Sequence, residues 1–369
     1  MRVIVVGAGI GGLSAAIALR RAGHDVVVLD RIGRFDDAGA GITLFANGMR
    51  ALRSLGVGDA IAARGAAARR SAILTADGQE LSAVAPDLLQ GTIAVHRADL
   101  RAALAEAAGE VRLGVDVTAV DQDEHGTVVQ SATSVAAHGD LVVGADGVNS
   151  VVRHAVADVQ PRYAGYTAWR GIAPVAVDTG RLTESWGTGA RFGLVDIGHR
   201  RTYWFATKNA PQAEPDGSAG RKAEILHRFA GWHDPIAAVI EASDELAILR
   251  NDVYFIDPLP RWSRGRVVLL GDAAHATTPG IGQGAAQAIE DARVISEQLT
   301  RHDDLTTALV AYESIRRPKT GAVLKLSRRV DKAAQLASPV ACRIRNAILQ
   351  HVPPGTQRRQ LEPIIRSDS

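Results

Sequence analysis

The chain has 369 residues, of which 46% are hydrophobic and 22% charged, which is ordinary for a soluble globular protein of roughly two domains. Its net charge of +2 and its scattered basic residues argue against nucleic-acid binding. The single Cys342 excludes an internal disulfide framework, and without a signal peptide or an apolar run of about 18 residues we expect a cytoplasmic protein with no membrane partner.

The first stretch of the chain predicts a dinucleotide-binding βαβ unit. An apolar strand at residues 2–6 runs into Gly7-Ala8-Gly9-Ile10-Gly11-Gly12 and then into a helix, and a second apolar strand ends at Asp30. In such a unit the first glycine permits a tight turn, the second lets a pyrophosphate approach the backbone, and the third lets the helix pack on the strand. The helix N-terminus would hold phosphates, and Asp30 would accept a hydrogen bond from a ribose hydroxyl. The motif does not identify the dinucleotide.

The next part of the chain alternates short strands and helices. Asn47 is predicted to cap a helix that ends near Leu55, and residues 71–93 alternate in polarity as a hairpin does. A helix is predicted over 97–108, followed by strands near 111–120 and 127–135. Residues 141–145 then read as a second buried parallel strand, which ends in Asp146.

The second half begins with strands and ends with helices. Residues 163–205 are rich in strand-forming residues, and helices are predicted near 221–230 and 235–242. A third buried strand at 266–270 ends in Asp272, and a long helix is predicted over 284–299. The remainder to about 352 is predicted to be helical, with breaks at Pro318 and Pro339, and residues 353–369 are expected to form a flexible tail.

These elements predict an α/β protein of two interleaved domains. The strands at 1–6, 141–145 and 266–270 would form one sheet, and their acid-bearing ends would meet at the edge where open α/β sheets bind ligands. We assign residues 1–70, 94–155 and 261–305 to this nucleotide-binding domain. Residues 71–93 and 156–260 would form an inserted antiparallel-sheet substrate domain, with C-terminal helices at 306–352.

Three separated signatures resemble those of the FAD-dependent aromatic hydroxylases related to p-hydroxybenzoate hydroxylase, including the urate-hydroxylase-like, zeaxanthin-epoxidase-like and tetracycline-degrading branches. They are the opening glycine motif with Asp30, the D-G-x-x-S-x-x-R element from Asp146 to Arg153, and the Gly271-Asp272 element that continues to Asp291. Together they span residues 3 to about 295. The resemblance implies FAD as the cofactor and a discontinuous, Rossmann-like FAD-binding domain of the GR2 type, with the inserted substrate domain and C-terminal helices described above.

The resemblance also implies a set of cofactor-binding residues. Asp272 would accept hydrogen bonds from ribityl hydroxyls, and Arg97 would reach the pyrophosphate or the ribityl chain. Arg31 would lie by the adenine end, and Val117 would offer backbone atoms to the adenine. No metal ligands are expected, and the predicted cofactor set is Gly7, Gly9, Gly11, Gly12, Asp30, Arg31, Arg97, Val117, Asp146, Arg153, Asp272, Pro279, Gly282, Gly284 and Ala285.

Simpler roles compete for several of these residues. Asp272 could cap the turn that follows it, and Arg97 could be a surface helix residue. Asp146 and Arg153 would be structural in part, tying the second motif to the FAD phosphates or to the nicotinamide nucleotide. His275 is more often a local packing residue in this motif than a catalytic base.

The activity implied by the resemblance is a monooxygenase reaction. NADH or NADPH would reduce FAD, O2 would add to it, and the resulting flavin hydroperoxide would transfer a hydroxyl group to a small aromatic or N-heterocyclic substrate. The segments Arg191-Phe192-Gly193 and Tyr203-Trp204-Phe205 are similar to the urate-hydroxylase branch, which implies that Arg191 and Tyr203 face flavin and substrate as catalytic residues. They could instead be ordinary sheet residues, and Asp196 stands where many relatives have proline.

Other functions remain open from the sequence. A flavin epoxidase or an antibiotic-modifying hydroxylase would carry the same motifs, and an FAD-binding protein that does not oxygenate is a further alternative. A flavin halogenase is disfavoured because no W-x-W-x-I-P string occurs, and a simple NAD-dependent dehydrogenase is disfavoured by the flavin-type element at residues 271–290. A monomer or homodimer is expected.

Overall fold

The computed structural model describes residues 1–35, 40–132, 134–177 and 180–366, without the side chains of Pro354 and Gln357. The strands, in chain order, are β1 (Arg2–Val6), β2 (Asp25–Asp30), β3 (Gly41–Leu44), β4 (Ala66–Ala67), β5 (Arg70–Thr75), β6 (Glu80–Ala83), β7 (Ile93–His96), β8 (Val111–Leu113), β9 (Val117–Gln122), β10 (Thr127–Ser131), β11 (Val135–Gly139), β12 (Leu141–Gly144), β13 (Arg162–Ala173), β14 (Arg181–Trp186), β15 (Ala190–Asp196), β16 (Thr202–Asn209), β17 (Leu249–Phe255), β18 (Ser263–Arg264) and β19 (Val267–Leu269). The helices are α1 (Ile10–Arg21), α2 (Ala46–Ser54), α3 (Gly58–Ala62), α4 (Arg97–Ala108), α5 (Arg221–Arg228), α6 (Ile236–Ala242), α7 (Asp272–His275), α8 (Gly284–Arg301), α9 (Leu305–Ala334), α10 (Pro339–His351) and α11 (Pro354–Ile365). Short 3-10 helices cover Pro86–Leu89, Val152–Ala155 and Glu245–Ala247.

The first sheet is the predicted nucleotide-binding sheet, with the order β18-β19-β12-β1-β2-β8. Strand β1 lies between β12 and β2 and is parallel to both. Its inner residues are fully buried, as expected for a central parallel strand that helices cover on both faces. Helix α1 packs against both α4 and α8, so elements from distant parts of the chain complete this domain.

The second sheet has seven strands in the order β17-β13-β16-β15-β14-β5-β6. Neighbouring strands are antiparallel except β14 and β5, which are parallel. The sequence predicts a wholly antiparallel sheet, and the exception arises because β5 comes from the earlier segment of the discontinuous domain. One face buries Trp169, Phe192 and Trp204 in a core that includes residues of α5 and α6. The opposite face carries the alternate residues of each strand.

Three local predictions differ from the structure. Asn47 does not cap α2, because Phe45 holds the cap position and the amide of Asn47 is buried. Helix α9 continues through Pro318 although the proline removes one backbone donor. The helix is held there by packing, since Arg316 and Thr320 on either side are buried.

Much of the expected flexible tail is also ordered. Residues Pro354–Ile365 form α11, whose Ile364 and Ile365 are buried. Arg358 and Arg366 both pair with Asp87 at 2.8 Å, which attaches α11 to the 3-10 helix Pro86–Leu89. Residues 367–369 of that predicted tail lie outside the described residues. None of the helices in the described part of the chain is long and apolar enough to cross a membrane.

Candidate functional site

The ends of the parallel strands bring three motifs to one edge of the first sheet. The N–H of Ala145 donates to Val6 O at 2.8 Å, and the N–H of Leu270 donates to Gly144 O at 3.0 Å. Consequently Gly7, Asp146 and Asp272, which follow β1, β12 and β19, are neighbours in space although they are far apart in the chain. This is the crevice at strand carboxyl ends in which open α/β sheets bind ligands.

The first glycine loop is shaped for close packing and for a ligand. Gly7 has φ of +104°, and a Cβ on Gly12 would lie 1.8 Å from Gly7 O, so the loop and helix α1 touch backbone to backbone. A Cβ on Gly9 would meet no atom within 4 Å, so the chain faces open space there. Helix α1 begins after Gly9 without a side-chain cap, so its first N–H groups are available to a ligand.

Gly11 also lies where helix α1 packs against its neighbours. A Cβ on Gly11 would lie 2.8 Å from Leu270 Cδ1 and 3.1 Å from the Cβ of Ala288. The absence of a side chain therefore lets α1 approach α8 closely. Close packing between the two helices is therefore a sufficient reason for a glycine at position 11.

Asp30 fixes the end of β2 beside the glycine loop. Its carboxylate accepts hydrogen bonds from the N–H of Ala8 and from the N–H of Ile32, the latter at 2.9 Å. The N–H of Val115 donates to Asp30 O at 2.9 Å, which brings the segment leading to Val117 alongside. Arg31 is exposed next to Asp30. The structure therefore brings the three residues predicted for the adenine end to one place.

Asp272 and Arg97 are charged side chains that solvent can reach but that protein atoms surround on several sides. Both side chains are exposed to solvent, yet burial raises the pKa of Asp272 and lowers the pKa of Arg97. Each charge partly offsets the shift of the other. A group that is both accessible and desolvated lines a deep cleft. The two side chains thus line the crevice at the end of β19.

A second glycine-rich loop precedes α8. Gly282 has φ of +65° and is exposed, and a Cβ on Gly284 would meet no atom within 4 Å. Pro279 is exposed, Ala285 is half-buried, and α8 begins without a side-chain cap. The cleft is therefore bordered by two bare helix N-termini, α1 and α8, each of which favours an anion or an electron-rich group.

Asp146 and Arg153, for which both a partly structural role and cofactor contacts are predicted, bond to neighbouring protein groups. The carboxylate of Asp146 accepts hydrogen bonds from Ser150 Oγ at 2.6 Å and from the N–H groups of Val151 and Val152. The guanidinium of Arg153, which is 1% exposed, donates to the carbonyl oxygens of residues 148, 159 and 273. Its position leaves it bonded to the protein backbone and away from solvent.

A buried ionic network that the sequence analysis did not identify lies behind the second glycine loop. Asp291 accepts from Arg316 Nε at 2.7 Å, from the N–H of Gly271 at 2.9 Å, and pairs with His275 Nε2 at 2.5 Å. Burial opposes ionisation of Asp291, but His275 and Arg316 outweigh it and lower its pKa to about 2. His275 is therefore bonded within this buried network. The spacing of His275 and Asp291 was visible in the sequence, but Arg316 could not be assigned from it.

The network extends to the start of α2 through Glu290. Arg316 Nη1 lies 2.6 Å and Lys319 Nζ 2.8 Å from Glu290 Oε2, and the amide of Asn47 donates to Glu290 Oε1 at 2.6 Å and to Gln283 Oε1 at 2.9 Å. Helices α2, α8 and α9 are thereby joined beside the second loop. The position of that loop depends on these buried contacts.

The inserted sheet presents a polar face, here called the roof, which comprises Arg170, Glu184, Arg191, Tyr203 and Phe205. In register, Arg170, Phe205, Gly193 and Glu184 form one row across four strands, and Arg191 and Tyr203 lie in the rows on either side. A Cβ on Gly193 would lie 2.0 Å from the ring of Phe205, so the ring covers this glycine.

Tyr203 is a roof residue that contacts the nucleotide-binding domain. A Cβ on Gly41 would lie 2.4 Å from the ring of Tyr203, so β3 approaches it closely. Burial raises the pKa of the Tyr203 hydroxyl, while the cations Arg170 and Arg97 oppose that rise. Arg170 donates a hydrogen bond to this hydroxyl. Tyr203 is thus a roof residue that lies close to Arg97 and the cleft.

Arg191 is held by two carboxylates. Its Nη2 lies 2.8 Å from Asp331 Oδ1 and its Nη1 lies 3.5 Å from Glu184 Oε2, while its guanidinium sits 5.8 Å from the ring centroid of Phe205. Burial alone would lower the pKa of Arg191, but the two carboxylates raise it above its usual value. The sequence identified Arg191 and missed Asp331, since nothing local links residues so far apart in the chain.

Asp331 also contacts the second glycine loop. A Cβ on Gly280 would lie 2.9 Å from the carboxyl carbon of Asp331 and 2.5 Å from Ser327 O, and Ser327 Oγ donates to Thr278 O at 2.6 Å. One helix, α9, therefore touches both the loop and the roof.

The cleft with its two bare helix N-termini fits a long dinucleotide, with the open space at Gly9 suited to a pyrophosphate and the second loop suited to a further ring.

Known proteins match this chain over most of its length, in sequence and in fold. A model of the FAD binding domain family matches residues 1–327. Aurachin C monooxygenase/isomerase of Stigmatella aurantiaca is 39% identical over 360 residues, covering 95% of this chain and 94% of that protein. The 3-amino-4-hydroxybenzoate 2-monooxygenase of Streptomyces cremeus is 36% identical over 364 residues, covering 93% and 90%. The crystal structure of Klebsiella pneumoniae HpxO complexed with FAD and uric acid matches with a TM-score of 0.90 at 30% identity, covering 99% of this chain and 96% of that one.

Proposed function

Because the chain belongs to the FAD binding domain family and is a flavin-dependent monooxygenase of the aromatic hydroxylase group, we propose that it hydroxylates a small aromatic or N-heterocyclic ring at the expense of NADH or NADPH and O2. The observation that carries the proposal is the cleft itself. Two bare helix N-termini, Arg97 and Asp272 border it, and the roof with Tyr203 lies across from them.

We assign the two ends of the cleft to the two halves of FAD. The N-terminus of α1 at Gly9 would hold the pyrophosphate, with Asp30 at the adenosine ribose and Val117 beside the adenine. Asp272 would accept from the ribityl hydroxyls, and Arg97 would neutralise phosphate charge. The loop from Pro279 to Ala285 would offer N–H groups to the flavin ring, where the helix dipole favours the reduced, anionic form.

Bound FAD would supply the electron transfer and oxygen activation that amino-acid side chains cannot perform. The residues of the chain would then bind, orient and shield the substrate ring. Tyr203 has a raised pKa and stays protonated near neutral pH, so its hydroxyl can exchange hydrogen bonds with a phenolic oxygen or a ring nitrogen. Arg191 and Phe205 would close the pocket against water, which would otherwise divert the oxidising equivalents.

Two variants separate the cofactor role from the substrate role. Asp272→Ala is expected to lower the FAD content of the purified, desalted protein, because the ribityl chain loses its acceptor. Arg191→Ala is expected to retain FAD but to oxidise NAD(P)H with less hydroxylated product for each O2 consumed, because the pocket admits water.

The wild-type protein provides the test of the activity as a whole. It is expected to be yellow, to release FAD on acid treatment, and to be reduced faster by NADH or NADPH when a substrate ring is present. A colourless protein that takes up no FAD contradicts the cofactor assignment. Uniformly slow reduction across a panel of phenols and N-heterocycles, with no oxygenated product, contradicts the proposed reaction.

A further inference from the structure

We propose that the roof selects electrically neutral rings, namely phenols and N-heterocycles without a carboxylate, and that Asp331 with Glu184 is the device that excludes aromatic acids. This inference rests on the proposed function, because it concerns the substrate of the same cleft. Family membership does not decide the question. One relative is named for a hydroxybenzoate, which carries a carboxylate, whereas HpxO is complexed with uric acid.

The charge of Arg191 is already matched inside the protein. Arg191 is 1% exposed, its Nη2 lies 2.8 Å from Asp331, and Glu184 approaches its Nη1 at 3.5 Å. A carboxylate that bound Arg191 would have to displace one of these groups or lie beside both. Either outcome leaves a negative charge in a desolvated place without its partner.

The remaining cation of the roof does not change this balance. Arg170 donates to Asn251 Oδ1 at 3.2 Å and to the hydroxyl of Tyr203, which are both neutral groups. Counted as formal charges, the two cations Arg170 and Arg191 are equalled by Glu184 and Asp331, although both carboxylates contact Arg191. Arg97, which lies close to Tyr203, has its charge offset by Asp272. The face is therefore electrically neutral before a substrate binds, and a neutral ring keeps it so.

Asp331 is held where it must act. It is 4% exposed and comes from α9, which packs against Gly280 of the second glycine loop, so its carboxylate sits where the roof meets the proposed flavin position. Glu184 is fixed from the other side, because Trp186 Nε1 donates to Glu184 Oε2 at 3.1 Å. Both carboxylates are thus part of the built site.

The test compares matched ligands that differ by one carboxylate. Phenol is compared with salicylate, and 4-hydroxyquinoline with its 2-carboxylate, on the FAD-loaded protein. Dissociation constants come from equilibrium dialysis, and stimulation of flavin reduction by NADH and NADPH is followed in parallel. The wild type is expected to bind each neutral ring roughly 100-fold more tightly than its acid, as fits an unpaired buried charge.

Variants assign the preference to the carboxylates. Asp331→Asn leaves Arg191 with one carboxylate instead of two, so it is expected to reduce the preference about tenfold by improving the affinity for the acids. Glu184→Gln is expected to act in the same direction and serves if the first variant is unstable. Glu313→Gln, on the same helix but bonded to Ser263, is the matched control and is expected to leave the preference unchanged.

The outcomes separate this inference from the proposed function. Acids that bind or stimulate the wild type as well as the neutral rings, in a protein that forms oxygenated product, overturn the inference alone. A preference that both carboxylate variants leave intact also overturns it. If no ligand of either kind binds the FAD-loaded protein, the assignment of the roof to substrate fails, and the inference fails with it.

Discussion

Asp291 is the residue whose loss should reveal how the cofactor loop is supported. In Asp291→Asn the side chain keeps one acceptor oxygen and gains an N–H2 group that faces a donor. Arg316 Nε, His275 Nε2 and the N–H of Gly271 all donate to the native carboxylate, so at least one of them loses its partner. Breaking one side of a buried ion pair typically costs about 3–5 kcal/mol of the free energy of unfolding.

The pH dependence gives a second estimate of the same interaction. The pKa of Asp291 is lowered to about 2 from an ordinary 3.8, so its ionisation stabilises the folded state. At about 1.4 kcal/mol for each pKa unit, the ionised carboxylate contributes about 2 kcal/mol. Because the folded pKa is the lower one, this contribution is complete above about pH 5 and is lost as the pH falls from about 4 toward 2.

Urea unfolding of wild type and variant between pH 7 and pH 3 measures both quantities. The variant is expected to unfold at lower urea at pH 7, to release FAD earlier, and to approach the wild type as the solution is acidified. Asp303→Asn, at an exposed aspartate, is the control and should leave the unfolding curve unchanged. Equal unfolding midpoints at pH 7, or a gap that does not narrow below pH 4, would refute the reasoning.

Three further predictions follow from single contacts. Gly9→Ala has room for its methyl group, so it should fold as the wild type does but lose FAD affinity. Gly12→Ala places a methyl group 1.8 Å from Gly7 O and should also lower the melting temperature. Equal FAD content and equal melting temperature in the two variants would contradict the loop assignment. Tyr203→Phe should retain FAD but lose on the order of tenfold or more in substrate-stimulated turnover, because the hydroxyl is removed; unchanged turnover would show that the hydroxyl has no part in the reaction. Asp87→Ala should expose α11 to proteolysis while costing only about 1 kcal/mol or less of global stability, since its partners are partly exposed; an unaltered cleavage pattern would mean that packing alone holds the helix.

The sequence was most informative where function requires a local pattern. The glycine loops, Asp30 and Asp272 lie at the ends of strongly apolar strands, so their spacing indicated a dinucleotide-binding α/β fold. The resemblance of the three signatures to the FAD-dependent hydroxylases implied FAD, and both the fold and the cofactor are confirmed. The contacts of Arg153 could not be read from the same local pattern, because a motif records which residue occurs and not the atoms it contacts. In the structure its guanidinium is bonded to backbone carbonyl groups.

Contacts between distant segments could not be predicted in this way. Asp331 reaches Arg191 and Arg316 reaches Asp291 only because α9 crosses both domains, and neither pair has a periodic or spacing signal. The helix at Pro354–Ile365 was missed for a related reason. Its sequence is polar and contains two prolines, and tertiary contacts to Asp87 and burial of its last isoleucines stabilise it instead.

Helix α9 contacts both the second glycine loop and the roof. The family model ends at residue 327, where Ser327 still holds the second glycine loop through Thr278. One turn later Asp331 pairs with Arg191 of the roof, and Arg345 of α10 then donates to Gly187 O at 3.3 Å, after β14. The same helix therefore contacts the loop through Ser327 and Asp331 and the roof through Asp331. We expect Asp331→Asn to change which ring is accepted while FAD is retained, because Ser327 and the network around Arg316 also support the loop.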